Sequence, residues 1–251
     1  MPTLTIATAA SVNAALTDMI PAIKTACSVT DVNIIPASSG LLADQIAVGT
    51  IKPDIFFSAA IEPMNQLVGV NMVVGTSKNL LRNNLVLIKN RANGPHNIIS
   101  FQQVNATNAA GVDIFIGQPE FTFKVPAGRY ARAAFQYFGN WTWLSTTPPT
   151  TFEETVTAVL NAVAGSTTNP AIGAVYFTDA AAFWVTNPSG TNPVEIIAIA
   201  PSAVNDTIIY PVAQIGSGAN QTAASAFMTF VQDQQNPVAM NYFLKWGFIP
   251  Y

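Results

Sequence analysis

The sequence predicts an α/β fold with parallel strands, and three observations carry that reading. Short apolar runs alternate with helix-period patterns over the first part of the chain: Leu4-Thr5-Ile6-Ala7, Val32-Asn33-Ile34-Ile35 and Asp54-Ile55-Phe56-Phe57 each precede a helical stretch. That alternation is the mark of strand–helix–strand units. Hydroxyl residues occupy the first two strand-to-helix turns, in Ala9-Ala10-Ser11-Val12 and Ala37-Ser38-Ser39-Gly40. Finally, 251 residues, 50% of them hydrophobic, suffice to bury the cores of two lobes.

The elements follow in order. Behind the first strand, Ala15, Leu16, Met19, Ile20 and Ile23 fall on one helical face, and behind the second so do Leu42, Ile46 and Ala47. Asp54 to Ser58 reads as a buried strand, with a helix around Met64 to Val68 after it. Leu85 to Ile88 is a further strand, and Asn90 to Asn97 a polar loop holding Gly94-Pro95 and a solvated His96. Ile114 to Gly117 is a strand, and Pro126-Ala127-Gly128 opens a helix through Tyr130, Ala134 and Tyr137. Trp141 and Trp143 either cover the end of that helix or line a cleft. Glu153 and Glu154 are expected to begin the next helix, where the dipole favours acidic residues. Ala174 to Phe177 is a buried strand, Glu195 to Ile199 another, and Ile208 to Tyr210 a third that Pro211 should stop. Two helices, about Gln221 to Asp233 and Val238 to Lys245, close the chain.

Composition removes several classes of function. Charged residues make up 9% of the chain, against about 25% in an average domain, so Asn, Gln, Ser and Thr must cover much of the surface. A net charge of −3 without a basic run argues against a nucleic-acid partner. The uncharged stretches, such as Thr155 to Thr178, are too broken by Asn, Gly, Ser and Pro to span a membrane. Cys27 is alone, so it forms no internal disulfide and reads as an apolar filler; with His96 it makes no metal site. Met1-Pro2 leads straight into the first strand, so an export signal is expected to be absent or removed. With so few carboxylates, stability is expected to vary weakly with acidity.

The two serine turns admit two readings. A serine at a helix start caps it by accepting from a backbone N–H. The same place presents unpaired N–H groups and the positive dipole end to an anion. Two such turns on neighbouring parallel strands favour a ligand, because ligands of open α/β sheets sit outside the carboxyl ends of the strands.

Read as a set, the motifs resemble a known family. Ala9-Ala10-Ser11, Ala37-Ser38-Ser39, Asp54-Ile55-Phe56-Phe57-Ser58-Ala59, Leu85-Val86-Leu87-Ile88, Val125-Pro126-Ala127-Gly128-Arg129-Tyr130-Ala131, Gly173-Ala174-Val175-Tyr176 with Thr178-Asp179-Ala180, Tyr210-Pro211-Val212 and Trp246-Gly247-Phe248 are similar, in order and spacing, to the molybdate-binding proteins of bacterial ABC transporters. The resemblance implies a two-lobed type 2 periplasmic-binding fold with a ligand cleft between the lobes. Residues 1–82 and 203–251 would form the first lobe and 83–202 an inserted second, with hinges near Asn83-Asn84 and Ser202. It further implies that hydroxyls and backbone N–H groups hold a tetrahedral oxyanion, molybdate or tungstate, without Arg or Lys. By motif the ligand residues are Ser11 and Ser39, the backbone N–H of Ala127 and of Val156, and the hydroxyl of Tyr176. No cofactor and no metal beyond the oxyanion itself is implied. The expected partner is a membrane ABC permease, the chain a monomer, and its place the periplasm or cell surface.

Such a pocket of donors discriminates by protonation. Molybdate, tungstate, chromate and sulfate are dianions without a proton near neutral pH, whereas phosphate retains one that would face a donor; an unpaired buried group costs about 1–3 kcal/mol. This chain departs from the family pattern at Ala60, where the family often has Asp, and at Gly117-Gln118-Pro119-Glu120, where Gly-Asp-Pro-Glu is expected. It also carries extra residues at Phe121 to Lys124, ahead of Ala127, and around Ser166 to Pro170. The alternatives are a binding protein of the same fold for sulfate, chromate or a phosphonate-like anion, and a ligand-sensing module. An enzyme would need a base beside a nucleophilic serine, yet His96 is the one histidine and no Gly-x-Ser-x-Gly turn is present. Tyr176 reads alternatively as a core tyrosine. Glu153, Glu154 and Asp179 read as capping and turn residues, or as carboxylates able to coordinate a metal or accept a proton from a protonated oxyanion.

Overall fold

The computed structural model describes residues 2–92, 97–119, 125–146, 150–186 and 193–251. The loop around His96 and the extra residues Phe121 to Lys124 fall largely or wholly outside the described residues. In chain order the elements are β1 (Thr3–Ala9), α1 (Asn13–Cys27) entered through a 3-10 turn at Ala10–Val12, β2 (Asp31–Ala37), α2 (Ser39–Ala47), β3 (Ile55–Phe57), α3 (Ile61–Gly69), β4 (Val73–Arg82) and β5 (Leu85–Asn90). Then follow β6 (Asp113–Gly117), α4 (Pro126–Tyr137), α5 (Trp141–Thr146), β7 (Thr150–Glu153), α6 (Val156–Gly165), β8 (Ala171–Tyr176) and α7 (Phe177–Thr186). β9 (Val194–Ile199), α8 (Ser202–Asn205), β10 (Ile209–Ile215), α9 (Gln221–Gln232), α10 (Val238–Lys245) and β11 (Ile249–Pro250) complete the chain.

These elements form two α/β units, residues 1–83 with 209–251 and residues 84–208. The sheet of the first runs β11-β4-β10-β3-β1-β2. β1 lies parallel to β2 and to β3, and β10 runs antiparallel to both β3 and β4. On one face Ala7, Phe56, Ala213 and Ile215 meet Leu42 and Ile46 of α2 and Met64 and Leu67 of α3. The apolar face of α1 (Ala15, Leu16, Met19, Ile23) is buried, and α1 packs against α9 and α10. Asp54 ties the unit's ends together, accepting from the backbone N–H of Thr5 (2.7 Å) and of Asn220 (2.6 Å).

The second unit has the order β7-β6-β8-β5-β9. β6 is parallel to β7 and β8, while β5 is antiparallel to β8 and β9. The helix α6 lies close on this sheet because Gly173 leaves room: a Cβ there would stand 2.8 Å from methyl groups of both Val159 and Val163.

Several details differ from the sequence expectation. Pro211 does not stop its strand, since β10 continues to Ile215. The register against β4 shifts between Tyr210 and Pro211, which places the residue that lacks an N–H at an irregularity of the ladder. Glu153 and Glu154 do not open a helix: Glu153 ends β7 beside Gly117, and α6 begins at Val156 behind Thr155. Thr155 caps the third residue of that helix by accepting from the Ala158 N–H at 3.0 Å, a role its hydroxyl fills better than the preceding glutamates. Phe177 starts α7 rather than ending β8. The return to the first unit follows Ile208, later than the expected Ser202. The reason is Asn205 of α8, whose side chain accepts from the Leu85 N–H (2.9 Å) and donates to the Ala200 carbonyl (2.8 Å).

Candidate functional site

Parallel strands place their carboxyl ends on one edge of a sheet, and the sequence-predicted residues of each unit collect there. In the first unit Ala9 pairs with Ala37 at the ends of β1 and β2, so Ser11 and Ser39 follow their strands by the same step. Ser58 follows β3 on the other side of β1. In the second unit β7, β6 and β8 are adjacent and parallel. The starts of α6 and α4, with Val156 and Ala127, and the last residue of β8, Tyr176, lie beyond or at those strand ends.

Neither serine serves as a helix cap. α2 is capped by Ser38, whose hydroxyl accepts from the Leu41 N–H at 3.4 Å. Ser39, only 1% exposed, instead accepts from the Ala59 N–H at 2.9 Å. That bond fills a lone pair of the Ser39 oxygen and leaves its O–H to donate elsewhere. The 3-10 turn at Ala10–Val12 and α1 carry no side-chain cap at all. Ser11 Oγ lies 2.9 Å from Tyr210 Oη, which in turn stands 3.0 Å from the Asn83 amide nitrogen. All three residues are buried. Sequence reasoning did not single out Asn83, Ala59 or Tyr210 as site residues. The one available signal was Tyr210-Pro211, a tyrosine set directly ahead of a residue that cannot donate to the ladder.

In the second unit the expected donors are two backbone N–H groups and the Tyr176 hydroxyl, and close packing holds the backbone around the first of them. Ala127 is the second residue of α4, behind Pro126, and is fully buried. Gly128 brings the helix start against the end of β6: a Cβ there would lie 2.2 Å from the Gly117 carbonyl oxygen and 2.6 Å from that of Gln118. Thr155 satisfies the third N–H of α6 and leaves the first, that of Val156, at the helix tip. Tyr176 is 2% exposed, with its ring 6.2 Å from that of Tyr130. The Tyr130 hydroxyl donates to the Thr207 carbonyl at 3.2 Å.

The expected donors are all uncharged. No Lys, Arg or His is among Ser11, Ser39, Ala127, Val156 and Tyr176, so positive potential comes from helix N-termini and fixed N–H groups. Asp179, three residues beyond Tyr176 in the first turn of α7, is buried, and burial raises its carboxyl to about 7. Among the described residues no group of three or more His, Cys, Asp and Glu is arranged to hold a metal. Trp141 follows α4 and opens α5; its ring lies 6.1 Å from that of Phe152 and carries the guanidinium of Arg132, a residue of α4, at 5.4 Å.

Residues 4–249 match the family described as bacterial extracellular solute-binding protein. The molybdate-binding protein ModA of Escherichia coli (strain K12) is 31% identical over 247 residues, covering 98% of this chain and 88% of that protein. Among solved structures, the periplasmic molybdate-binding protein of Azotobacter vinelandii shares the fold with a TM-score of 0.74 at 18% identity over 98% of each chain. The sulfate-binding protein SubI of Mycobacterium tuberculosis H37Rv does so with a TM-score of 0.78 at 15% identity, over 100% of this chain and 87% of that one. Two α/β units, a family match over nearly the whole length and a 31% identical relative lead to one conclusion: the chain belongs to the bacterial extracellular solute-binding proteins.

Proposed function

We propose that the chain captures molybdate or tungstate outside the cytoplasm, at the cell surface or in the periplasm, and delivers it to the membrane permease of an ABC importer. Ser11, Ser39 and Tyr176 donate hydroxyl protons, and Ala127 and Val156 donate backbone N–H groups, all to one tetrahedral dianion. The observation that carries the reading is the use of the buried Ser39: it leaves capping to Ser38, takes a hydrogen bond from Ala59 and retains its proton for a ligand. The 31% identical relative from Escherichia coli, a molybdate-binding protein by name, supports the choice of ion. Hydrogen bonds to a charged partner contribute about 1.5–3 kcal/mol each, so five such donors offset the cost of association and leave sub-micromolar affinity within reach. No bond is made or broken in this cycle, and the ion leaves as it entered.

Thermal unfolding with molybdate, tungstate, chromate, sulfate and phosphate, each at about 1 mM, tests it. A ligand at a thousand times its dissociation constant stabilises by about 4 kcal/mol, which is several degrees for a protein of this size. Large shifts with molybdate and tungstate and none with phosphate are expected. A shift with sulfate alone would move the assignment to that ion, and a flat panel would overturn the oxyanion reading.

A further inference from the structure

We infer that Ser58 is a positioning residue: its hydroxyl locks the turn after β3, keeps the Ala59 N–H on Ser39 and so favours the Ser39 hydroxyl as a donor to the anion. The inference rests on the oxyanion reading above and gives Ser58 a role that reading does not contain.

Ser39 and Ser58 follow β2 and β3, the parallel strands on either side of β1, and both are buried, at 1% and 0% exposure. Their hydrogen bonds differ in kind. The Ser58 hydroxyl donates to the Ala60 carbonyl at 2.7 Å and accepts from the Ala60 N–H at 3.2 Å. Its one proton is spent inside the turn, so Ser58 is not itself a ligand group. Ser39 is the reverse case. A backbone N–H can only donate, so the Ala59 contact at 2.9 Å makes the Ser39 oxygen an acceptor and leaves its proton for another partner.

The two sets of bonds are joined through the backbone. The ring closed by Ser58 Oγ and the Ala60 N–H runs through the Ala59 nitrogen. The hydroxyl that holds Ala60 therefore also restrains the peptide plane that carries the Ala59 N–H. The near end of the turn is anchored separately, where the Ser58 N–H donates to the Pro211 carbonyl of β10 at 2.9 Å. Ala60 offers no side chain for the task, and α3 starts behind it without a side-chain cap. Ser58 is thus the one side chain that bonds across this turn. The consequence falls on selectivity. A serine that rotates freely offers a proton or a lone pair with equal ease and tolerates a protonated anion. Filling one lone pair of Ser39 from Ala59 favours the orientation that donates, in which a proton on the anion meets a proton on the serine.

Two measurements on the wild type, Ser39→Ala, Ser58→Ala and the double variant test the inference. The first is amide hydrogen exchange of the ligand-free chain. In Ser58→Ala the Ala59 amide should exchange about three- to tenfold faster, with the amides of Ile55 and Phe56 unchanged. The second is calorimetric titration of molybdate, with hydrogen arsenate in competition. Ser39→Ala is expected to weaken molybdate binding about tenfold, and Ser58→Ala about three- to tenfold. The double variant should bind as Ser39→Ala does, because Ser58 acts through Ser39. Ser58→Ala should also lower the preference for molybdate over hydrogen arsenate, which a serine that merely completes the fold would leave unchanged. Should Ser58→Ala not fold, Ser58→Cys, whose thiol bonds weakly in nearly the same place, is read in the same way. Unchanged exchange at Ala59, exchange raised equally along β3, an unchanged preference, or losses of affinity that multiply in full would each overturn the role of Ser58. A wild type that binds neither anion would remove the oxyanion reading instead, and the exchange rates would still decide whether Ser58 holds Ala59 on Ser39.

Discussion

Asp179 carries the largest consequence of any single residue outside the donor sets. It lies in the first turn of α7, three positions beyond Tyr176, and its Oδ2 is buried without a hydrogen-bond partner among the described residues. Burial raises its carboxyl from 3.8 to about 7. The sign follows from proton linkage: between about pH 4 and 7 the folded chain holds a proton that the unfolded chain has released, so stability is fullest at low pH and falls as pH rises through 7. The full loss is on the order of 4 kcal/mol. Asp179→Asn, which cannot ionise, is therefore expected to raise the melting temperature at pH about 8 and to flatten its dependence on pH over this window. Equal pH profiles for the two proteins would refute the account. The low charge density visible in the sequence points to weak pH dependence, and Asp179 is where one buried group overrides an average. As a sequence position it read as an ordinary turn residue, because burial is a tertiary property that no local pattern encodes. Cys27 behaved as expected: it is buried, and burial pushes its thiol up to about 11, which keeps it an unreactive filler.

At the scale of elements, the junction of β6 and α4 decides whether a backbone N–H can serve as a ligand group. The N–H of Ala127 is fixed by the approach of Gly128 to the Gly117 carbonyl, a contact that leaves no room for a Cβ at 2.2 Å. Both neighbours are backbone, so neither swings aside. Gly128→Ala is expected to cost about 1–3 kcal/mol through displacement of α4 and to weaken anion binding by moving the Ala127 N–H. Calorimetric unfolding and titration check the two effects together; a native melting temperature would show that the junction has slack. Elements with strong periods were the legible ones. The face of α1 reads directly from Ala15, Leu16, Met19, Ile20 and Ile23, of which all but the partly buried Ile20 are buried. The pattern of β4 does not read as a strand, for it is ten residues long with a mostly exposed first half and Gly75 at φ 68°. Its pairing with β10 and β11 comes from distant sequence. The start of α6 misled because acidic residues at a helix start are a statistical preference, whereas the Thr155 hydroxyl makes a specific bond. The serine turns were legible as places but not as chemistry, since only the folded chain shows Ser38 capping while Ser39 does not.

For the whole molecule, the donor inventory bears on how many anions one chain can hold. Unit by unit the proposed sets are small: the Ser11 and Ser39 hydroxyls in one, and Ala127, Val156 and Tyr176 in the other. Two or three charge-assisted hydrogen bonds supply about 3–9 kcal/mol gross. Association alone costs about 4–15 kcal/mol, so a single set offsets only the lower part of that range, whereas five bonds together supply about 8–15 kcal/mol gross and offset most of it. The proposed function therefore requires that both sets serve the same ion. Titration calorimetry should give one molybdate per chain. Ser39→Ala and Tyr176→Phe, altering residues in different units, should each weaken that same event by about tenfold. With no charged side chain among the proposed donors, added salt should act on this affinity only through general screening of a chain of net charge −3. Two molybdate ions per chain, or a Tyr176→Phe protein that binds like the wild type, would mean that one unit suffices and that the strand ends of the other have a different purpose.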